Sequence, residues 1–290
     1  MAIGLELTDG TGRVWPLTEH SNPALRRGVQ GLGMPTMEPY KGVDSPSHGR
    51  RWTGWRATER LVVLPLHFRG PGLVATRREF VAGTVPDQHG TAGTGPCRLT
   101  ATMPDSSVWS VDMRLVDDGR LQLDLDPDLV GWLKPTLSWD ADVFWAGSVW
   151  SSTWQAAAPA AGSWLLGPGG GGVARLSAGH TLSTASATNA GDVRVWPVWT
   201  VAGPCTWLSV GVGDLQVSGS VTLGAGESLT IDTDPEDGQM AVHSSGADWT
   251  DRLDEVGFAP LEPGLNQLAV TMTGTGTVSM AFRPLRLALL

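Results

Sequence analysis

With 290 residues, 41% of them hydrophobic and only 17% charged, the chain carries enough apolar material to build a core, which argues against disorder. A formal net charge of −9 argues against a phosphate backbone as the main partner. The 38 glycines and 20 prolines, set between short apolar runs, point to an all-β protein with one or two short helices.

From the N-terminus, "MAIGLELTDG" has neither a basic n-region nor an apolar h-region, so no signal peptide is expected. No apolar run approaches the ~18 residues of a membrane helix. The expectation is a soluble protein made in the cytoplasm. "LELTDGTGRVWPL" predicts a strand pair turning at Asp9-Gly10, followed by a Gly- and Pro-rich loop over 28–56. "RLVVLPLHF" (60–68) reads as a buried strand, with Pro65 implying an edge or a bulge. Leu73, Arg77 and Phe80 fall at helical spacing in 72–83.

"CRLTATMPDSSVWSVDMRLVDDGRLQLDLDP" alternates in two hairpins, broken at Pro104-Asp105 and Asp118-Gly119. In its last strand Leu121, Leu123 and Leu125 make a dry face, which leaves Asp124 and Asp126 on the wet one. Six of the 14 tryptophans lie between Trp132 and Trp164, and a domain boundary is expected near 138, dividing the chain into 1–138 and 139–290. The run "LLGPGGGG" (165–172) is then a loop inside the second domain. Short strands follow to the C-terminus, ending in a hairpin that turns at Gly274-Thr275-Gly276. A helical turn is expected at "ADWTDRLDEV", capped by Asp248 with Trp249, Leu253 and Val256 facing inward. This spacing of strands suggests a jelly-roll-type β-sandwich.

Charge is uneven. Residues 1–140 hold 15 basic and 16 acidic side chains, and residues 141–290 hold 5 and 13. Between Arg13 and Arg78 stand 11 basic residues against four acidic ones. A solvated or internally paired surface accounts for these more simply than an acidic neighbour. Cys97 and Cys205 each follow Gly-Pro and read as buried free thiols, since two cysteines make no disulfide framework.

The densest acidic stretch is "LTIDTDPEDG", with Asp232, Asp234, Glu236 and Asp237 in six positions. Counted as an EF-hand from Asp232, its glycine comes one residue late and His243 stands where the bidentate glutamate belongs. A turn is the better reading, with Pro235 setting φ and Gly238 supplying a positive φ. Gly167, Gly169 and Gly172 match the dinucleotide fingerprint only literally, because no helix pattern follows them. Neither Lys41 nor Lys134 completes a P-loop, and the six histidines show no metal-binding spacing. A nucleophile elbow is absent. No catalytic, cofactor-binding or metal-binding residues are expected, and no cofactor. The tryptophans read as core or interface packing, with carbohydrate stacking the alternative. A glycosidase, needing two carboxylates ~5–10 Å apart in a cleft, is a weaker third reading.

"NAGDVRVWPVWTVAGP", "VTLGAGESLTIDTDPEDG" and "FAPLEPGLNQLAVTMTGTGTVSMAFRPLRLAL" resemble the distal tail protein family of long-tailed bacteriophages. The matching positions, in order, are Gly191 to Pro197; Gly226, Glu227, Ile231 and Asp232; Leu261, Pro263, Gly264 and Asn266; and Arg283 and Pro284. "WDADVFW" (139–145) is similar to the family's segment opening the second domain, with Val143 where proline is usual. The resemblance implies an N-terminal ring-forming β domain and a C-terminal galectin-like β-sandwich. It implies a virion protein at the tail tip, in a hexameric ring between the tail-tube protein and the tail-tip protein. DNA would pass through the channel without specific binding, with no membrane involved. The loop 28–56 and the hairpins of 98–125 are the candidate clamps between subunits. The alternative is a β-sandwich module binding host glycan.

Overall fold

The computed structural model describes residues 3–45, 49–85, 95–117, 126–155, 180–181 and 185–289, with backbone alone for 40–45, 49–53, 128 and 180–181. The chain forms two compact units, Met1–Ser148 with Arg286–Leu290, and Val149–Leu285. As expected, the fold is all-β with a few short helices.

In the first unit the elements are β1 (Gly4–Thr8), β2 (Val14–Pro16), β3 (Ala24–Leu25), β4 (Thr36–Ser45), β5 (Gly49–Arg69), α1 (Leu73–Thr84), β6 (Cys97–Thr102), β7 (Val108–Asp117), α2 (Pro127–Val130), β8 (Trp132–Leu133), β9 (Thr136–Ala141) and β10 (Trp145–Gly147). The main sheet runs β2-β1-β6-β7-β9-β5-β3, with β10 added on β7 and β4 and β8 on β5. Period-two alternation sends one face of each strand inward. Leu5 and Leu7, Leu99 and Ala101, Leu137 and Trp139, and Val62, Leu64, Leu66 and Phe68 are buried together. Helix α1 lays Leu73 and Phe80 on this core, and the Phe80 ring meets Trp15 and Phe68 edge-on at 5.2 and 5.7 Å. Burying a side chain of that size contributes about 1.5–3 kcal/mol.

Four expectations change. Residues 139–147 belong to the first unit, because β9 pairs with β5 and β7, and β10 pairs with β7. The division therefore falls after Ser148 rather than near 138. Much of the 28–56 loop is strand, β4 and the start of β5. Pro65 lies inside a long strand, at the last pair between β5 and β9, opposite Thr136. Its carbonyl accepts from Arg26 N at 2.8 Å, so its missing N–H falls on the β3 side, where the β3–β5 pairing ends, and costs no bond to β9. Val256, expected inward, is exposed.

The second unit contains β11 (Trp150–Gln155), β12 (His180–Thr181), β13 (Ser186–Asn189), β14 (Val198–Ala202), β15 (Cys205–Val212), β16 (Leu215–Gly219), β17 (Ser228–Asp232), β18 (Met240–His243), β19 (Glu255–Val256), β20 (Gly264–Gly274) and β21 (Thr277–Phe282). One sheet runs β11-β21-β14-β17-β18; the other runs β12-β20-β15-β16-β19, with β13 also on β20. Trp199, Val201, Leu229, Ile231 and Met280 from the first sheet and Leu208, Val210, Val217, Val270 and Met272 from the second form a single core. That is a β-sandwich. The last hairpin turns between Gly274 and Thr277 as expected, and a 3₁₀ turn occupies Thr250–Arg252. The hairpin strand at 121–125 and the Gly-rich run 165–172 lie outside the described residues.

Candidate functional surfaces

The long strand β5 divides into two parts. Arg60 to Pro65 pair with β9, and Leu66 and His67 with β3. Among the described residues, Gly49 to Glu59 pair with β4 alone, through three register irregularities. The result is a two-stranded arm outside the main sheet, about 30 Å long at ~3.3 Å per residue. A two-stranded ribbon is marginal on its own in water. The ion pair between Arg56 and Glu38 crosses the arm at 2.9 Å, with both side chains more than half exposed, and adds little. Trp55 is 54% exposed.

At the root of the arm, Arg60 is 1% exposed. Its guanidinium donates to the carbonyls of Gly31 (2.6 Å), Gly33 (2.7 Å), Val143 (2.9 and 3.0 Å) and Leu287. Burial pushes its pKa down to about 10, so it stays a cation at neutral pH. It binds the segment entering β4, the segment before β10 and the C-terminal segment to one point. Sequence reasoning missed it. The available signal was its phase: 60, 62, 64, 66 and 68 share one side of a strand whose other members are core.

A second polar hub lies in the β1–β2 turn. The Asp9 carboxylate is 4% exposed and accepts from Thr11 N (3.0 Å), Thr11 Oγ1 (2.6 Å), Arg13 N (3.0 Å) and Trp15 Nε1 (2.8 Å). Burial raises its pKa, but the bonds from Thr11, Trp15 and Arg13 outweigh this and hold it below the usual value. Gly83 of α1 sits against this carboxylate, and a Cβ there would run into it.

Several of the positions carrying the family resemblance are turn devices, while Ile231 and Leu261 belong to the core. Asn266 Oδ1 accepts from Glu262 N (2.9 Å), and its Nδ2 donates to Glu262 O (2.7 Å) and Gly264 O (3.0 Å). Gly264 has φ 95° and Gly226 φ 86°. Glu227 Oε2 accepts from Gly224 N at 2.7 Å. The acidic stretch behaves as a turn: Asp232 accepts from Asp234 N and Asp234 from Glu236 N, both at 2.9 Å, and Gly238 has φ 98°. Leu229, Ile231 and Thr233 are buried on one side.

Little here suits catalysis. Asp142 has its pKa raised by burial and then by Asp112 and Asp140, with Arg114 opposing. It is an exposed residue, and Asp112 is already tied to Arg98 at 2.6 Å. No group of three or more metal-binding side chains occurs among the described residues. Cys97 and Cys205 are both buried free thiols, the first pushed up to about 11 by burial. In the second unit, none of the described tryptophans is exposed: Trp150 packs on Phe282 at 5.0 Å and Trp154 on Trp199 at 6.1 Å. No helix among the described residues is long and apolar enough to cross a membrane.

No family model matches the chain, and no curated protein matches it. Among solved structures, the chain is similar to the crystal structure of SPP1 Dit (gp 19.1), presented as a paradigm of the hub adsorption apparatus in phages infecting Gram-positive hosts. The TM-score is 0.60 at 12% identity, covering 98% of this chain and 99% of that one. Two structures of the phage P2 baseplate in its activated conformation, with Ca and with Sr, match at TM-score 0.46 and 10% identity over 98% of both chains. The first likeness spans both units and shows a shared fold.

Proposed function

We propose that this chain is a distal tail protein of a long-tailed phage, a virion component at the tail tip. Its copies form a ring, six by the family resemblance, between the tail-tube protein and the tail-tip protein. The observation that carries the reading is the β4–β5 arm, in a chain that shares the SPP1 Dit fold. Among the described residues, the two arm strands pair with each other along one edge, and strands at the edge of a sheet are templates for another chain. An arm that reaches from one copy to a different surface on the next makes a heterologous contact, which closes into a ring when the rotation allows.

The open face of the first sheet supports a channel wall. Arg98 stands opposite Asp112, and Arg114 opposite Asp140. Opposed charges of this kind give the β6–β7–β9 part of that face a polar, mixed-sign character, which offers DNA little net attraction there. The reading gives the protein no catalytic residues and no cofactor. No exposed aromatic platform among the described residues of the second unit favours the host-glycan alternative.

The test is the mass of the full-length protein in solution, negative-stain imaging, and the copy number per tail in intact virions. Rings of six in solution or six copies per tail support the reading. A copy number that fits no ring at the tail tip overturns it. Replacing residues 38–57 by a short turn should leave a folded protein that no longer forms rings; rings that survive the replacement remove the arm from the account.

A further inference from the structure

Three cations and a histidine collect on one side of β5 in the first unit. Arg69 stands opposite Trp132 of β8, and His67 opposite Ala24 of β3. Directly opposed residues share a face of the sheet, and so do residues two apart along a strand. His67 and Arg69 therefore face the same way as Trp132. Lys134, two residues past Trp132, holds its Nζ 4.3 Å from the centre of that ring. Arg26, two residues past Ala24, continues the pairing with its N–H on Pro65 O at 2.8 Å. Arg26, Arg69 and Lys134 are all exposed, and among the described residues none of them has a carboxylate within ion-pair distance. Arg69 gives one of its guanidinium N–H groups to the Glu19 backbone carbonyl. The pKa of His67 is lowered by burial and then by Lys134, Arg69 and Arg26, which is what a group feels when its charged neighbours are all cations.

This face has an apolar margin. Trp132 is 45% exposed and Leu129 82%. Cations bordered by bare apolar side chains suit a protein surface better than a nucleic acid, and the chain's net charge of −9 repels DNA at long range.

The chain itself supplies the complement. Residues 149–285 hold 12 acidic side chains against 4 basic ones. At β19, the end strand of its sheet, Glu255 is exposed beside Val256, which is 45% exposed; Asp251 is exposed in the preceding 3₁₀ turn, next to Arg252, whose guanidinium lies 4.4 Å from the centre of the Trp249 ring. We propose that the Arg26–His67–Arg69–Lys134 face is a docking surface for the acidic β19 edge of a second copy of this chain. The contact rests on the reading that copies associate and does not depend on their number.

The full-length protein is examined by sedimentation equilibrium at about 50 and about 500 mM NaCl, where charges are screened beyond ~14 and ~4 Å. One variant reverses the basic face (Arg26→Glu, Arg69→Glu, Lys134→Glu). Another reverses the edge (Asp251→Lys, Glu255→Lys), sparing Asp248 and Asp254, which accept backbone N–H groups. Each variant alone should associate at least about tenfold more weakly than the wild type at low salt, a change of about 1.4 kcal/mol. The difference should shrink at high salt. An equimolar mixture should recover wild-type association, because each variant's reversed surface meets its complement on the other. A misfolded variant gives no such recovery, nor does a contact confined to one chain. Variants that associate like the wild type, or a mixture that stays dissociated, overturn the proposal. So does a short DNA duplex that binds the wild type and not the face-reversed variant. Rings in the wild type and in both variants alike would remove this contact and leave the ring reading standing. A wild type that never associates in solution would remove this contact, and the copy number per tail would then decide the ring reading.

Discussion

Replacing Arg60 by methionine tests whether the base of the arm is held by one buried cation. Methionine fills a similar length and removes every donor. The carbonyls of Gly31, Gly33, Val143 and Leu287 then lose their shared partner in a site where Arg60 is 1% exposed. Each orphaned buried acceptor costs about 1–3 kcal/mol. Against that sum stands the burial penalty of the cation itself, visible in the fall of its pKa to about 10. At ~1.4 kcal/mol per unit this is worth roughly 3 kcal/mol. The net expectation is a loss of about 3–5 kcal/mol, the usual result of removing one partner from a buried charged network. For a unit of this size that is a drop of roughly 8–15 °C in the midpoint. Differential scanning calorimetry reads it, with Leu61→Ser as the exposed control on the neighbouring residue. Arg60→Lys should recover only part of the loss, because one ammonium cannot span the sites that a planar fork reaches. An Arg60→Met protein within about 1 kcal/mol of the wild type, or a lysine variant equal to it, would refute the reasoning.

Asp9→Asn should cost about 1–3 kcal/mol at neutral pH, since an amide cannot accept all four bonds that the carboxylate takes. The pKa of Asp9 is depressed in the folded protein, so its contribution is present above the ordinary value of 3.8 and lost as pH falls through the folded value. Urea unfolding at neutral and acid pH should therefore show the Asn variant approaching the wild type in acid; a constant gap would count against it. Gly83→Ala gains ~1 kcal/mol of helix propensity but drives a methyl into the Asp9 carboxylate, at a cost of about 1–3 kcal/mol. A denaturation midpoint raised by this substitution would show that the turn yields freely. Asn266→Ala should destabilise the second unit by about 1–3 kcal/mol by removing three local bonds, read as a lowered calorimetric transition beside an unchanged first unit.

Much of this fold was legible because its chemistry is local. The Asp9-Gly10 turn, helix α1, the 97–117 hairpin and the closing hairpin each follow from alternation, helical spacing or a glycine at a reversal. The turn at 232–238 was read correctly because proline and glycine fix backbone angles wherever they stand. What the sequence hid were consequences of distance. Asp9 reads as a turn residue, yet its donors include Trp15 on the far strand. Trp139 is in phase with Leu137 and Ala141 and so reads as buried, but nothing in 136–147 says which core receives it. The tryptophans run without a break across the true division, and the boundary was placed too early.

The arm was illegible for a different reason. Glycines and prolines over 28–56 oppose strand formation, and none of the arm residues 36–39 and 54–59 is buried, so no apolar alternation marks them. A strand pair that neither propensity nor a core supports takes its stability from elsewhere, which makes its illegibility an argument for a partner. The same contrast explains how a resemblance can be read at Gly226, Gly264 and Asn266 although no family model matches and identity to SPP1 Dit is 12%. Core positions accept any apolar side chain of suitable volume, so a core residue says little about which fold it serves. A glycine at φ 95° or an asparagine closing three bonds on its own turn has few substitutes. The demand such a position makes is local, so it can be read from the residue itself.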